Sequence, residues 1–300
     1  MSDTRVFAVV VNFNGAEVTH ACVTSLRASR AVDLQIIVVD NDSTEREQSR
    51  LQSDWGEAKD VEILNLPANG HFAGGVNAGA LRALEAKASH LFFLNNDTII
   101  EPDCIARLIG DAEKYPEAGL LGPALLNLGD RRPLSMGENY AAWSLAVPRS
   151  LLRVRTPADE SYPVGGIMGS AILVTTECFL RLGPYREDLL VYYEEVDYCL
   201  RARAAGFQPR LVPDAIVLHD GMRGFAAGLQ PYAARLKTRN QLRLAMDHGG
   251  LGGFLIFLPF FLSLVVVSSL LYALRGDGAT VRALWAGVFE GFRWLWRGQP

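Results

Sequence analysis

The sequence predicts an α/β fold, a mostly parallel sheet flanked by helices, followed by a separate helical segment at the carboxyl end. Three observations carry this. Short apolar, β-branched runs alternate with helical patterns from residue 5 to residue 126, the rhythm of right-handed βαβ units. Several of those runs stop abruptly in polar side chains, as buried strands do at the sheet edge where ligands gather. Finally, Gly249 to Leu274 contains no charged residue although charges stand on both sides of it.

The elements follow in order. Arg5 to Asn12 reads as a first strand and Ala16 to Ala28 as a helix; Leu34 to Asp40 and Glu45 to Gln52 repeat the pair. Val61 to Leu66 is a third strand and Gly75 to Ala86 its helix. His90 to Asn95 is a strand with an uninterrupted apolar centre, Leu91-Phe92-Phe93-Leu94, which only burial on both faces explains. Pro102 suits the first turn of a helix reaching Tyr115, and Ala118 to Leu125 is another strand. Asn127 to Gly165, rich in Pro, Gly, Arg and Asp, reads as a long surface excursion or hairpin. Ala171 to Thr175 returns to a strand, and Glu194 to Ala205 is a helix that begins acidic and ends basic, as its dipole favours. Ala215 to His219 closes the set.

Composition narrows the function. A chain of 300 residues, 49% hydrophobic and 21% charged, buries a sizeable core, and a net charge of −4 argues against a nucleic-acid partner. Cys22, Cys104, Cys178 and Cys199 fall at no metal-ligand spacing and read as buried, reduced thiols. Val6 to Val11 is too short and too β-branched for a secretory signal, so the amino-terminal part is expected to face the cytosol. The turn after the first strand, Asn12-Phe13-Asn14-Gly15, lacks the glycine spacing of a dinucleotide site, which disfavours a Rossmann dehydrogenase. The same turn has no basic glycine-rich loop, which disfavours a nucleotidyltransferase.

Polar strand ends supply candidate chemistry. Asp97, after Asn95 and Asn96, is a hard oxygen ligand suited to Mg²⁺ or Mn²⁺ carrying substrate phosphates. Asp40 at the second strand's end can accept the imide N–H of a pyrimidine, while Asp42 or Ser43 beside it can simply cap a helix. Asn69 to Gly79 gathers small residues at a helix start, where backbone can approach an anion or merely turn tightly. Tyr192-Tyr193-Glu194-Glu195-Val196-Asp197 concentrates carboxylates beside aromatic rings and holds the best candidate for a general base. His219 is a borderline ligand able to complete a divalent site with Asp97, although a lone strand-end histidine is also commonly structural.

Taken together these segments resemble the inverting family 2 glycosyltransferases of the GT-A fold, particularly the bacterial rhamnosyltransferase-like branch. The resemblance covers residues 5 to about 240 in the family's order and spacing. It implies a nucleotide-sugar site drawn from Asn12, Asn14, Asp40, Asn41, Asn69, Gly74, Gly75, Asn77, Asn95 and Asn96, and a metal site of Asp97 and His219 for Mg²⁺ or Mn²⁺. It further implies Glu195 as catalytic base, with Glu194 and Asp197 as alternates, and Gly169, Ser170 and Tyr193 on the acceptor side. Two departures stand out. Glu195 occupies a position usually held by Asp, and His71 stands where the glycine segment usually keeps a glycine.

The implied activity is metal-dependent, inverting transfer from a dTDP- or UDP-sugar, rhamnose favoured, to a hydroxyl of a saccharide or polyprenyl-linked acceptor in cell-surface polysaccharide synthesis. The alternative is a catalytically silent sugar-binding or assembly subunit. The expected division is a catalytic domain over 1–248 and a membrane-associated segment over 249–300, placing the chain at the cytoplasmic face of a bacterial inner membrane. Within that segment an apolar helix over 253–274 is long enough to cross a hydrocarbon core of about 30 Å. A second helix over 280–297 gathers Arg282, Glu290, Arg293 and Arg297 within roughly an 80° arc, as a helix in the lipid interface does. Basic residues flank the apolar run on both sides, which favours a shallow hairpin over a single span.

Overall fold

The computed structural model describes residues 4–140, 160–220 and 230–297. These fall into two compact units, one holding 4–138, 160–190 and 194–220, the other 139–140, 191–193 and 230–297. The part of the expected excursion over 141–159 lies outside the described residues.

The first unit runs β1 (Arg5–Asn12), α1 (Ala16–Arg27), β2 (Asp33–Asp40), α2 (Glu45–Trp55), β3 (Val61–Asn65), α3 (His71–Glu85), β4 (His90–Asn95) and β5 (Thr98–Ile100). It continues with α4 (Cys104–Lys114), β6 (Leu120–Asn127), β7 (Pro133–Ser135), β8 (Tyr162–Pro163), β9 (Ala171–Thr175), α5 (Thr176–Leu182), α6 (Glu194–Ala204) and β10 (Arg210–His219). The described strands form one sheet in the order β3-β2-β1-β4-β9-β6-β10-β5, with β7 on β6 and β8 on β10. β1 to β4 are parallel, β9 is antiparallel to both β4 and β6, and β10 runs parallel to β6.

Register explains why polar residues line one edge. Asn12 pairs with Asp40 and Asp40 with Asn65, Val11 pairs with Asn95, and His219 pairs with Asn127. Apolar residues such as Val10, Val38, Phe92 and Leu125 fill the interior behind them. The carboxyl edge is therefore polar all along, and the core supports it.

Helix α3 shows what its glycines do. A Cβ added at Gly79 would stand 2.3 Å from Val9 Cγ1, and one at Gly75 would stand 2.7 Å from Val11 Cγ1. Both glycines therefore let the helix lie tight on β1. Gly79→Ala should destabilise the fold by about 1–3 kcal/mol through overpacking. Gly110→Ala in α4, where an added Cβ meets nothing within 4 Å, is the control and should be neutral or stabilising. Equilibrium denaturation of both variants checks this; equal stabilities would contradict it.

The second unit contains α7 (Gln230–Leu274) and α8 (Gly278–Arg297). Gly250, with φ +57° and ψ −171°, breaks α7 into a charged leg and an apolar leg. The expected apolar helix over 253–274 is thus the second leg of a longer element that begins well before residue 249.

Candidate functional site

Only Asn96 and Asp97 separate β4 from β5, and so short a link spans roughly 10 Å at most. β5 in turn pairs antiparallel with β10, setting Thr98 opposite His219. That connection draws the end of β10 to the end of β4. Residues 122 apart in sequence consequently touch, with His219 Nε2 lying 3.1 Å from Asp97 Oδ1. The backbone closes the same corner, since Asp220 N–H donates to the Asp97 carbonyl (3.2 Å). The two side chains keep 13% and 14% exposure, so the pair is sheltered yet open to a ligand.

A carboxylate and an imidazole in contact suit a divalent cation. Among the described residues no three His, Cys, Asp or Glu side chains gather to hold a metal unaided. Mg²⁺ and Mn²⁺ do not need such a cage, because they keep waters and take substrate phosphates as ligands. Asp97 and His219 therefore fit a cation shared with a diphosphate.

Beside them lies a polar network centred on Asn12, which is fully buried. Its Nδ2 donates to Asp40 Oδ1 (2.8 Å) and Ser43 Oγ (3.2 Å). Its Oδ1 accepts from Gly15 N (3.2 Å), Thr19 Oγ1 (2.9 Å) and Asn96 Nδ2 (3.4 Å). Asp40 also accepts from Ser43 N (3.1 Å) and Gln48 Nε2 (3.0 Å). With no exposed surface and these donors around it, Asp40 is the hub of a buried network at the end of β2. Asn14 joins the network, donating its N–H to Ser43 Oγ (2.8 Å) and accepting from Thr44 N (2.9 Å). Asn96 turns inward to Thr19 Oγ1 (3.0 Å). Neither Asp42 nor Ser43 caps α2, whose N-cap residue is Thr44. Thr19, Ser43 and Gln48 were not legible as partners, because each is a common polar residue on a helix or turn.

The glycine segment is tied to the same edge. Asn41 donates to the His71 carbonyl (2.8 Å) and accepts from Gly70 N (2.9 Å), while Asn69 Oδ1 accepts from His71 N (2.8 Å). His71 has φ +57°, the left-handed conformation that a glycine adopts without strain. The hydrogen bonds from Asn41 and Asn69 hold the histidine there, which accounts for the departure noted in the sequence. Gly74 is half-buried, and a Cβ there would meet nothing nearer than Glu187 Cδ at 3.9 Å. Asn77 corrects an expectation: it donates to the Tyr185 carbonyl (3.0 Å) and Glu187 Oε1 (2.8 Å) and accepts from Tyr185 N (2.8 Å). It pins the loop before α6 and is 4% exposed.

The acidic start of α6 separates into roles. Asp197 is 1% exposed and paired with Arg201 Nε (2.7 Å) and Arg186 Nη1 (3.7 Å), so it is a structural ion pair and no substitute base. Glu195, 6% exposed, packs on the backbone at Gly169, where an added Cβ would stand 3.2 Å from Glu195 Cβ and Cγ. Ser170, the next residue, accepts from Asn95 N through its carbonyl (3.0 Å). That chain of contacts ties Glu195 to Asn95 at the end of β4, two residues before Asp97. Glu194 is buried like Glu195. Tyr193, with φ +73°, is 7% exposed and belongs to the second unit.

The thiols take no part. All four cysteines are buried and free, and burial pushes the Cys22 and Cys178 thiols up to about 12. They stay protonated and unreactive at neutral pH.

The sequence model of glycosyl transferase family 2 matches residues 7–171. A dTDP-rhamnosyl transferase, RfbF of Shigella flexneri, is 23% identical over 218 residues, covering 72% of this chain and 69% of that protein. An N-acetylglucosaminyl-diphospho-decaprenol L-rhamnosyltransferase of Mycobacterium tuberculosis is 29% identical over 168 residues, covering 52% of this chain and 55% of the relative. The chain thus spans little more than half the length of that relative. Among solved structures, the mannosyltransferase PcManGT from Pyrobaculum calidifontis, in complex with GDP-Man and Mn²⁺, superposes with a TM-score of 0.61 over 96% of this chain and 87% of its own. At 14% identity this likeness speaks for the fold.

Proposed function

Because the chain belongs to glycosyl transferase family 2, we propose that it transfers a sugar, with inversion, from a nucleoside-diphosphate donor to a hydroxyl of a lipid-linked saccharide. A dTDP- or UDP-sugar is the donor class, with rhamnose favoured, and the acceptor is a saccharide on a polyprenyl carrier. The observation that carries the proposal is the contact of Asp97 with His219 at the polar carboxyl edge of the sheet. The named activities of the Shigella and mycobacterial relatives support rhamnose and a polyprenyl-linked acceptor. The Mn²⁺ in the neighbouring mannosyltransferase complex supports a divalent ion.

In this reading Asp97 and His219 would hold Mg²⁺ or Mn²⁺. A cation bound there would neutralise charge on the departing nucleoside diphosphate. Glu195 accepts the proton of the acceptor hydroxyl as that oxygen attacks the anomeric carbon from the face opposite the leaving group. One displacement then inverts the configuration, and the proton rests on the Glu195 carboxyl. The Asn12–Asp40 network contributes rigidity: it fixes the Asn96 side chain, and with it the turn that carries Asp97. Gly169 contributes space, letting the Glu195 side chain lie against backbone. Positioning and electrostatics carry the rate enhancement. The apolar leg of α7 brings the chain to the cytoplasmic membrane surface, where a polyprenyl-linked acceptor resides.

The test is turnover of a panel of dTDP- and UDP-sugars by the purified full chain with Mn²⁺ and a polyprenyl-diphosphate-linked saccharide. One donor should release nucleoside diphosphate and give a product of inverted anomeric configuration. A product of retained configuration would contradict the single displacement.

A further inference from the structure

The register of α8 against α7 decides how the apolar leg meets a membrane. A Cβ added at Gly287 would stand 2.3 Å from the Arg235 carbonyl oxygen and 3.0 Å from Thr238 Cβ, so the two backbones nearly touch there. One turn on, a Cβ at Gly291 would stand 2.6 Å from Leu242 Cδ1 and 3.3 Å from the Arg239 carbonyl oxygen. Glu290 accepts from Arg235 Nε (3.0 Å), and the Arg243 guanidinium lies 4.6 Å from the Trp294 ring centre. As α8 advances from 287 to 294, its partners advance from 235 to 243. The helix therefore runs parallel to the charged leg of α7, and its first turn lies level with that leg's start.

The apolar leg must connect these. It leaves the charged leg at Gly250 and ends at Leu274, and α8 begins after a tight turn over 275–277. Asp277 closes the turn, its carboxylate accepting from Thr280 N (3.0 Å) and Thr280 Oγ1 (2.6 Å). Residues 251–274, about 36 Å of helix, consequently run back along the charged leg. A bilayer span would put Gly250 and Arg275 on opposite faces of the membrane. The charged leg and α8 would have to cross with it, carrying Arg235, Lys237, Arg239, Arg243 and Asp247. Such charges are strongly disfavoured at mid-membrane.

The surface agrees with a helix that lies flat. Phe254, Phe257, Phe261 and Val265 form one buried stripe. Leu251, Leu255, Phe260, Val267, Leu271 and Leu274, each 50–85% exposed, make the rest of the leg's surface apolar. On α8, Trp285, Phe289, Phe292 and Trp296 are exposed at helical spacing beside exposed Arg282 and Arg293. Aromatic rings with interleaved arginines match an interface of acyl chains under anionic headgroups.

We infer that residues 251–274 lie in the plane of one leaflet as a monotopic anchor, and that the aromatic and arginine stripe of α8 binds anionic phospholipid headgroups of the same leaflet. This rests on the membrane part of the proposed function and is independent of sugar transfer.

Because the four native cysteines are buried, single introduced thiols report topology cleanly. The full chain is bound to preformed vesicles of phosphatidylethanolamine and phosphatidylglycerol, and Arg275→Cys and Lys59→Cys are treated with a membrane-impermeant maleimide. Equal labelling of both positions is expected; protection of position 275 until detergent is added would overturn the in-plane arrangement. Phe260→Glu with Leu271→Glu should reduce co-sedimentation by about tenfold or more, and vesicles of phosphatidylcholine alone should bind several-fold less. Equal binding to both vesicle types would overturn the anionic-headgroup assignment. Wild-type chain that stays in the supernatant as a dimer would show that a second copy covers the apolar face. Donor hydrolysis measured in the same vesicles reports on the catalytic reading separately.

Discussion

Glu195→Gln is expected to bind the nucleotide sugar as the parent does and to lose transfer by about 10²–10⁴-fold. Glutamine keeps the shape that packs on Gly169 and loses only the carboxylate proposed to take the proton. The fold should survive, since the substitution replaces one planar side chain with its isostere. Asp197 cannot compensate. Two residues on, it is committed to Arg201 and Arg186 and nearly inaccessible at 1% exposure. Steady-state transfer with donor binding measured in parallel checks this. Full activity in the variant would remove Glu195 from the reaction, and loss of donor binding along with transfer would make it a binding residue instead.

Asp97→Ala is expected to lower transfer by about 10²–10³-fold and to abolish the metal dependence of donor binding. The substitution removes the carboxylate from the site and leaves His219 Nε2 without its 3.1 Å partner. The backbone around it is held independently, because Thr98 pairs with His219 and Asp220 N–H reaches the residue-97 carbonyl. Thermal stability without ligand should therefore change little, while stabilisation by nucleotide and metal together should disappear. Loss of folding would instead show that the pair is structural.

Much of this architecture was readable from the chain. β1, β4 and β9 begin and end where the β-branched and apolar runs do, because a buried strand must change composition at its ends. Asp97 and His219 were legible as partners through strand-end placement and chemistry. The short β4–β5 link that brings them together was not, since Thr98 to Ile100 carries little strand signal in three residues. The glycine segment also carries a packing role that the sequence reading did not draw. Gly75 and Gly79 are four apart, on one face of a helix, and Ala83 continues the stripe, as a close helix–sheet contact requires. Asn77 could not have been assigned, because its partner Tyr185 lies 108 residues away. Asp197 could have been, since an Arg four residues later on a helix is its natural partner. The buried state of Asp40 was also hidden, because a strand-end carboxylate reads alike whether it faces solvent or a network. In the second unit, apolar length allowed a span while the flanking basic residues favoured a hairpin, and the parallel register of Gly287 and Gly291 against the charged leg argues on the same side.

The account stands on a divalent ion at Asp97 and His219 that grips the donor's diphosphate, and calorimetric titration of dTDP and UDP into the full chain tests it most directly. With Mn²⁺ present, one of the two nucleotides should bind the parent chain, and binding should vanish both in EDTA and in Asp97→Ala. Equal affinity with and without metal, unchanged by the substitution, would contradict the account.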